Sequence, residues 1–186
     1  MKYKKVLQQR AKTSGENPED PAKVKDLREQ LLYVDSEEEL EIFQIDECVF
    51  LGQDSMKRVW SAKRTNQVLT LDNAARSQSA KVIAAISSSG SYFYTVQEKY
   101  FSGEDVLNFL KLIKREMGLR CWAVFWDNCP THKANKVQDY LDKKDIPQVK
   151  NLPYCPKYNG IETLWALQKR VFRERITDLK VRKQEF

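Results

Sequence analysis

The segment Ile42-Phe43-Gln44-Ile45-Asp46-Glu47-Cys48-Val49-Phe50 is dense, apolar and rich in β-branched and aromatic residues, yet a carboxylate sits in its middle. Such a run, from Leu40 to Leu51, reads as a buried strand. An ionised Asp46 inside it carries a desolvation cost that only a partner, a hydrogen-bond network or a cation can offset. The fold has to bring something to Asp46. In a regular strand Glu47 points to the opposite face, which makes it structural and leaves it outside any ligand set built on Asp46.

The rest of the chain supplies the elements that such a strand needs. Cys121 to Trp126 is apolar on both faces, as a central strand covered by helices would be, and ends at Asp127. Val82 to Ile86 and Tyr92 to Val96 form an expected hairpin around Ser87-Ser88-Ser89-Gly90, Ile146 to Val149 is a short strand, and Arg58 to Ala62 is a weaker candidate. Ser102 to Asp105 has capping-box spacing and opens a helix carrying Val106, Leu110, Ile113 and Met117, stopped by Gly118. A second helix is expected from Asn128-Cys129-Pro130-Thr131 through Ala134, Val137 and Leu141, and a third from near Asn159. Asp20-Pro21 opens a further helix with Val24, Leu27 and Leu31 on one stripe, read as a connector. The order implies an α/β fold, a mixed five-stranded sheet flanked by helices. The expected divisions are a connector at 1–38, the main domain at 39–175 and a basic tail at 176–186.

At 186 residues and 41% hydrophobic composition, the chain is long and apolar enough for one domain with a real core. No run reaches the roughly 18 apolar residues of a membrane span, and the basic start, Met1 to Lys5, leads into polar Gln8, Gln9 and Arg10 instead of a signal core. A protein that stays inside the cell, without a membrane partner, is expected. The net charge of +6 favours an anionic partner without identifying one. Cys48, Cys121, Cys129 and Cys155 form no C-x-x-C pair and read as free thiols. Cys129 and His132 have a spacing usable by zinc, but no second close pair completes four ligands. Trp60, Trp122, Trp126 and Trp165 lie in or beside apolar elements and read as core.

Three acids then stand out. Asp127 occupies the carboxyl end of its strand, the edge of an α/β sheet where ligands gather. Glu162 lies in the first turn of the last helix, beside the stripe Ile161, Leu164, Trp165, Val171 and Phe172. If these converge with Asp46, two like charges about 4 Å apart repel by roughly 4 kcal/mol at an effective dielectric near 20, so a divalent cation is the natural relief. Mg2+ prefers oxygen ligands and needs few carboxylates, and two such ions suit in-line phosphodiester displacement. The plainer readings are a lysine partner for Asp46, an Asx turn from Asp127 to Asn128, and an ordinary capping box from Asn159 to Glu162.

Three ordered blocks carry a resemblance. Phe43-Gln44-Ile45-Asp46-Glu47-Cys48-Val49-Phe50 resembles the first catalytic strand of mariner-type transposases of the DDE superfamily and of related bacterial insertion-sequence transposases. Phe125-Trp126-Asp127-Asn128-Cys129-Pro130-Thr131-His132 resembles their second block. Tyr154-Cys155-Pro156-Lys157-Tyr158-Asn159-Gly160-Ile161-Glu162-Thr163-Leu164-Trp165 resembles the third, and 34 residues separate Asp127 from Glu162, as in the Asp-Asp-Glu branch.

The resemblance implies a ribonuclease-H-like catalytic domain with Asp46, Asp127 and Glu162 as catalytic residues and as ligands of two Mg2+ ions, Mn2+ substituting. It implies cleavage at transposon ends and attack of the freed 3′-hydroxyl on target DNA, with double-stranded DNA as partner and a homodimer as a further expectation. His132 and Asn128 become accessory candidates. Lys169, Arg170 and Arg173, in a segment of net charge +4 from Leu164 onward, become candidate DNA contacts. The expected location is the nucleus of a eukaryote or the cytoplasm and nucleoid of a bacterium. Two departures accompany the resemblance. Gly160 stands where proline is usual, and the paired helix-turn-helix region that precedes the family's catalytic domain has only Lys2 to Arg10 as its expected remnant. They motivate a second reading, a truncated or domesticated remnant that binds DNA or protein without catalysis. A third is a ribonuclease-H-like nuclease acting on RNA or branched DNA.

Overall fold

Asp20 caps the first described element: its side chain accepts the Ala22 N–H at 3.0 Å, and Pro21, which has no N–H to lose, starts α1 (Pro21–Asp35). The computed structural model describes residues 20–36, 40–51 and 79–184, with side chains of the final helix described to 175. The strand candidate at Arg58 to Ala62, Trp60 and the basic segment Lys2 to Arg10 lie outside the described residues.

The apolar runs become β1 (Leu40–Leu51), β2 (Ser79–Ser87), β3 (Tyr92–Gln97), β4 (Cys121–Trp126) and β5 (Gln148–Lys150), in one five-stranded sheet of order β3-β2-β1-β4-β5. β1 is antiparallel to β2, and β2 to β3, forming the expected hairpin with Gly90 at φ 92° in its turn. β1 and β4 run parallel, as do β4 and β5. The mixed α/β sheet expected from the sequence is therefore the fold observed.

Strand alternation distributes the core. Phe43, Ile45, Ile83, Trp122, Val124 and Trp126 face the helices α2 (Gly103–Met117) and α3 (Asn135–Lys143). α2 has the expected capping box between Ser102 and Asp105 and ends at Gly118, and it buries Val106, Leu110, Ile113 and Met117, each worth about 1.5–3 kcal/mol of apolar burial. On the other face Cys48, Phe50, Val82 and Ala84 pack against Ile161 and Trp165 of the last helix, α4 (Ile161–Gln184).

Several expectations need correction. The segment read as a connector is a packed layer: Leu27 and Val34 of α1 are buried with Ala123, Phe125 and Val149 on the sheet. α3 starts at Asn135, not at Asn128. Between them the chain winds through consecutive turns, with the N–H groups of His132, Lys133 and Ala134 bonding the carbonyls of Cys129, Pro130 and Thr131, because His132 is drawn inward. The short strand expected at Ile146 to Val149 is Gln148–Lys150. α4 follows a single 3-10 turn at Pro156–Tyr158 and carries on through the expected basic tail, since neither proline nor glycine interrupts it before Gln184. No helix among the described residues is long and apolar enough to cross a membrane.

Candidate functional site

Register brings the first two acids to one edge. β1 and β4 pair from Leu40↔Cys121 to Gln44↔Phe125, and Asp46 and Asp127 each lie two residues beyond that last pair. Alternation gives Asp46 the face of Gln44 and Cys48, and Asp127 the face of Ala123 and Phe125, so both belong to the side covered by α1 and α4. α4 brings the third acid, Glu162, to the same side, anchored by buried Ile161 and Trp165.

Asp46 is partly buried, and burial is the main reason its carboxyl is pushed up to about 6. The charges of Glu47 and Glu162 push the same way. Two donors oppose the shift: the Glu47 backbone N–H at 2.8 Å on Oδ1, and the Trp165 indole N–H at 3.1 Å on Oδ2. Among the described residues no lysine pairs with Asp46, and the donors it has are a backbone N–H and an indole N–H. Sequence reasoning placed Trp165 in the core and missed its donor. The signal was its position, one helical turn after Glu162.

Asp127 sits in a different network. Its Oδ1 accepts the Cys129 backbone N–H at 2.9 Å, forming the Asx turn to Cys129, and lies 3.0 Å from His132 Nδ1. His132, only 1% exposed, stacks on Trp126 with ring centroids 4.5 Å apart, and its Nε2 lies 3.1 Å from Glu47 Oε1. Burial alone would lower the imidazole's pKa, but the hydrogen bonds and charges of Asp127 and Glu47 raise it to about 10. The His132 hydrogen bond in turn holds the Asp127 carboxyl below the usual carboxylate range, with burial opposing. Glu47 points to the face opposite Asp46, as alternation requires, and its partner is His132. The signal for that pairing was a charged residue in an apolar strand, in a chain with one histidine.

The remaining candidates divide. The Asn128 side-chain amide donates to the Asn151 carbonyl at 3.0 Å, tying the end of β4 to the chain after β5. Lys169 turns inward to hydrogen-bond the Cys48 thiol, while Arg170 and Arg173 are exposed on α4. Asn159 does not cap α4 through its side chain: its Oδ1 is buried without a hydrogen bond, and the Glu162 N–H bonds the Asn159 carbonyl instead. A Cβ at Gly160 would lie 2.7 Å from Gln44 Oε1, so a side chain there would require the end of Gln44 to shift. None of the four cysteines is in a disulfide, and Cys48 and Cys155 are buried.

Among the described residues, no three Asp, Glu, His or Cys side chains are gathered into a ready-made metal cluster. Asp46 and Glu162 act on each other electrostatically, whereas Asp127 is engaged by His132. The donor chemistry nevertheless fits a hard divalent cation. The groups are carboxylate oxygens, and a cation would relieve the burial and like charge that hold Asp46 near 6.

A mixed sheet of this strand order, helices on both faces, and carboxylates at matching positions just past the paired stretch of two adjacent parallel strands define the ribonuclease-H-like class. The profile of the DDE superfamily endonuclease family matches residues 41–181, a span containing all three sequence blocks, and the chain belongs to that family. Among solved structures it is similar to the Mos1 transposase paired-end complex with left transposon end (TM-score 0.60, 15% identity, 88% of this chain and 54% of that chain). The catalytic domain of Mos1 mariner transposase alone gives TM-score 0.56 at 14% identity, covering 86% and 74%. The Mos1 mariner paired-end complex with Mn gives 0.52 at 16%, covering 81% and 50%. The chain thus spans about half the length of the transposases in those paired-end complexes, and at these identities the likeness is one of fold. Comparison with curated protein sequences finds no match.

Proposed function

We propose that this chain is the catalytic domain of a transposase that cleaves DNA at the ends of a mobile element and joins the freed ends to target DNA. The observation that carries the reading is the equivalent placement of Asp46 and Asp127 on adjacent parallel strands, with Glu162 acting on Asp46 from α4. Family membership, and the Mos1 complexes with a transposon end and with Mn, support the same chemistry.

Asp46, Asp127 and Glu162 would hold two Mg2+ or Mn2+ ions. Bound cations would supply charge neutralisation at the scissile phosphate and a lower pKa for the attacking water. In the first step water attacks phosphorus, the P–O3′ bond breaks, and a 3′-hydroxyl and a 5′-phosphate result. In the second step that hydroxyl attacks a target phosphodiester and one P–O bond replaces another, so no energy cofactor is needed. In this reading Arg170 and Arg173, both exposed on α4, contact the phosphate backbone, and Lys169, beside Cys48, does not. A homodimer, and residence with DNA in a nucleus or nucleoid, belong to the same proposal.

The test is nicking of supercoiled duplex DNA by this chain with Mg2+ or Mn2+. We expect metal-dependent nicks that Asp127→Asn abolishes while its circular dichroism stays native. Cleavage by D127N at the wild-type rate would refute the assignment. A binding-only remnant would retain DNA without nicks in either protein, and preference for RNA–DNA hybrids would favour the third reading.

A further inference from the structure

Glu47 lies outside the three acids, yet it is the far end of a chain of contacts that crosses the sheet edge to one of them. Glu47 Oε1 is 3.1 Å from His132 Nε2, and His132 Nδ1 is 3.0 Å from Asp127 Oδ1. The ring between them has little freedom. It is buried, stacks on Trp126 with 7° between the planes, and belongs to a turn whose carbonyl at His132 accepts the Gln138 side-chain amide at 2.7 Å. Both hydrogen bonds on Asp127, from His132 and from Cys129, fall on the same oxygen, Oδ1. Among the described residues Oδ2 receives none.

We propose that Glu47 is a positioning residue: acting through His132, it pins one oxygen of the Asp127 carboxylate and leaves the other to be presented to a divalent cation or to phosphate-bound water. The inference rests on the metal-dependent reading above. The carboxylate–imidazole–carboxylate series is the arrangement by which a group outside the ligand set fixes a ligand's orientation, and loss of such a group typically reduces metal affinity by about 10–100-fold. Alternation explains why Glu47 can do this without itself being a ligand: it approaches from the α2 and α3 side, and Asp46, the next residue back, from the other.

His132 is the chain's sole histidine, so its ring N–H protons give an unambiguous NMR signal. We expect both ring N–H resonances in the wild-type chain to be sheltered from exchange. In Glu47→Ala we expect loss of the sheltered Nε2–H signal together with a shift of the Asp127 carboxyl carbon as the ring is no longer held, and E47Q, which keeps an acceptor, should restore much of both. An unchanged Asp127 carboxyl signal in E47A would overturn the proposal, whatever the DNA assays give. Mn2+ titration adds a readout that a packing role would not move. E47A should weaken Mn2+ about 10–100-fold in the wild-type background and leave it unchanged in D127N. Equal losses in both backgrounds would mean that Glu47 does not act through Asp127. If the wild-type chain takes up no Mn2+ while the NMR outcomes hold, the metal reading fails and the Glu47–His132–Asp127 coupling stands.

Discussion

At the residue scale the candidate site is a set of opposed electrostatic demands, and each has a measurable sign. Burial holds the Asp46 carboxyl at about 6, above its ordinary value of 3.8, so ionising it costs stability. That cost is absent below about pH 4 and grows as pH rises through 6. A rise of about 2 units corresponds to at most about 3 kcal/mol, so Asp46→Asn should raise metal-free stability at pH 8 by up to that amount while abolishing cleavage. Urea unfolding in the presence of a chelator measures the first effect and nicking the second. His132 has the opposite sign: its pKa is raised from 6.5 to about 10, so its contribution is complete below 6.5 and disappears as pH climbs through 10. His132→Ala should cost about 3 kcal/mol near pH 6, toward the low end for a buried pair because Asp127 is half exposed, and should flatten the urea midpoint across pH 6.5–10.

At the element scale, much of the sheet was legible because buried strands and amphipathic helices leave strong periodic signals. The hairpin of β2 and β3, the capped α2 and the apolar β4 follow from turn residues, capping spacing and two-sided burial. What escaped was set by tertiary demand. The start of α3 slips to Asn135 because His132 is used inward, between Trp126, Asp127 and Glu47, where a regular helical turn would not place it. α1 looked like a connector because its stripe is short, and only the sheet face it covers shows it to be core. The element junctions are tight enough to test. A Cβ at Gly103, the first residue of α2, would lie 2.6 Å from the Ala134 Cβ, a methyl group with no rotamer to escape into. Gly103→Ala should therefore destabilise by about 1–3 kcal/mol in urea titration. Gly160→Ala meets instead the movable end of Gln44, so its loss should be smaller and should largely vanish when combined with Gln44→Ala.

At the scale of the whole molecule, the fold brings acids from three segments far apart in the chain to one side of the sheet, and the sequence announced them unequally. Asp46 was conspicuous because no apolar strand tolerates a bare charge, and Asp127 because it ends one. Glu162 could be distinguished from an ordinary first-turn acid only by the third sequence block, and Glu47 was set aside because alternation shows direction but not the partner waiting on the other face. If these acids hold divalent cation as proposed, the domain should be stabilised as a unit by it, by about 2.7 kcal/mol at a concentration 100 times the dissociation constant. That gain should appear as a higher unfolding temperature with Mn2+ and be absent in D46N.

The decisive observation is the anomalous-difference map of a crystal of this chain soaked in Mn2+. We expect a peak coordinated by Asp46 and by Asp127 Oδ2, with Glu162 completing the protein ligands and Asp127 Oδ1 still bonded to His132. Mn2+ bound elsewhere, or Asp46 and Asp127 both left without a cation at saturating Mn2+, would contradict the metal-dependent nuclease reading at its root.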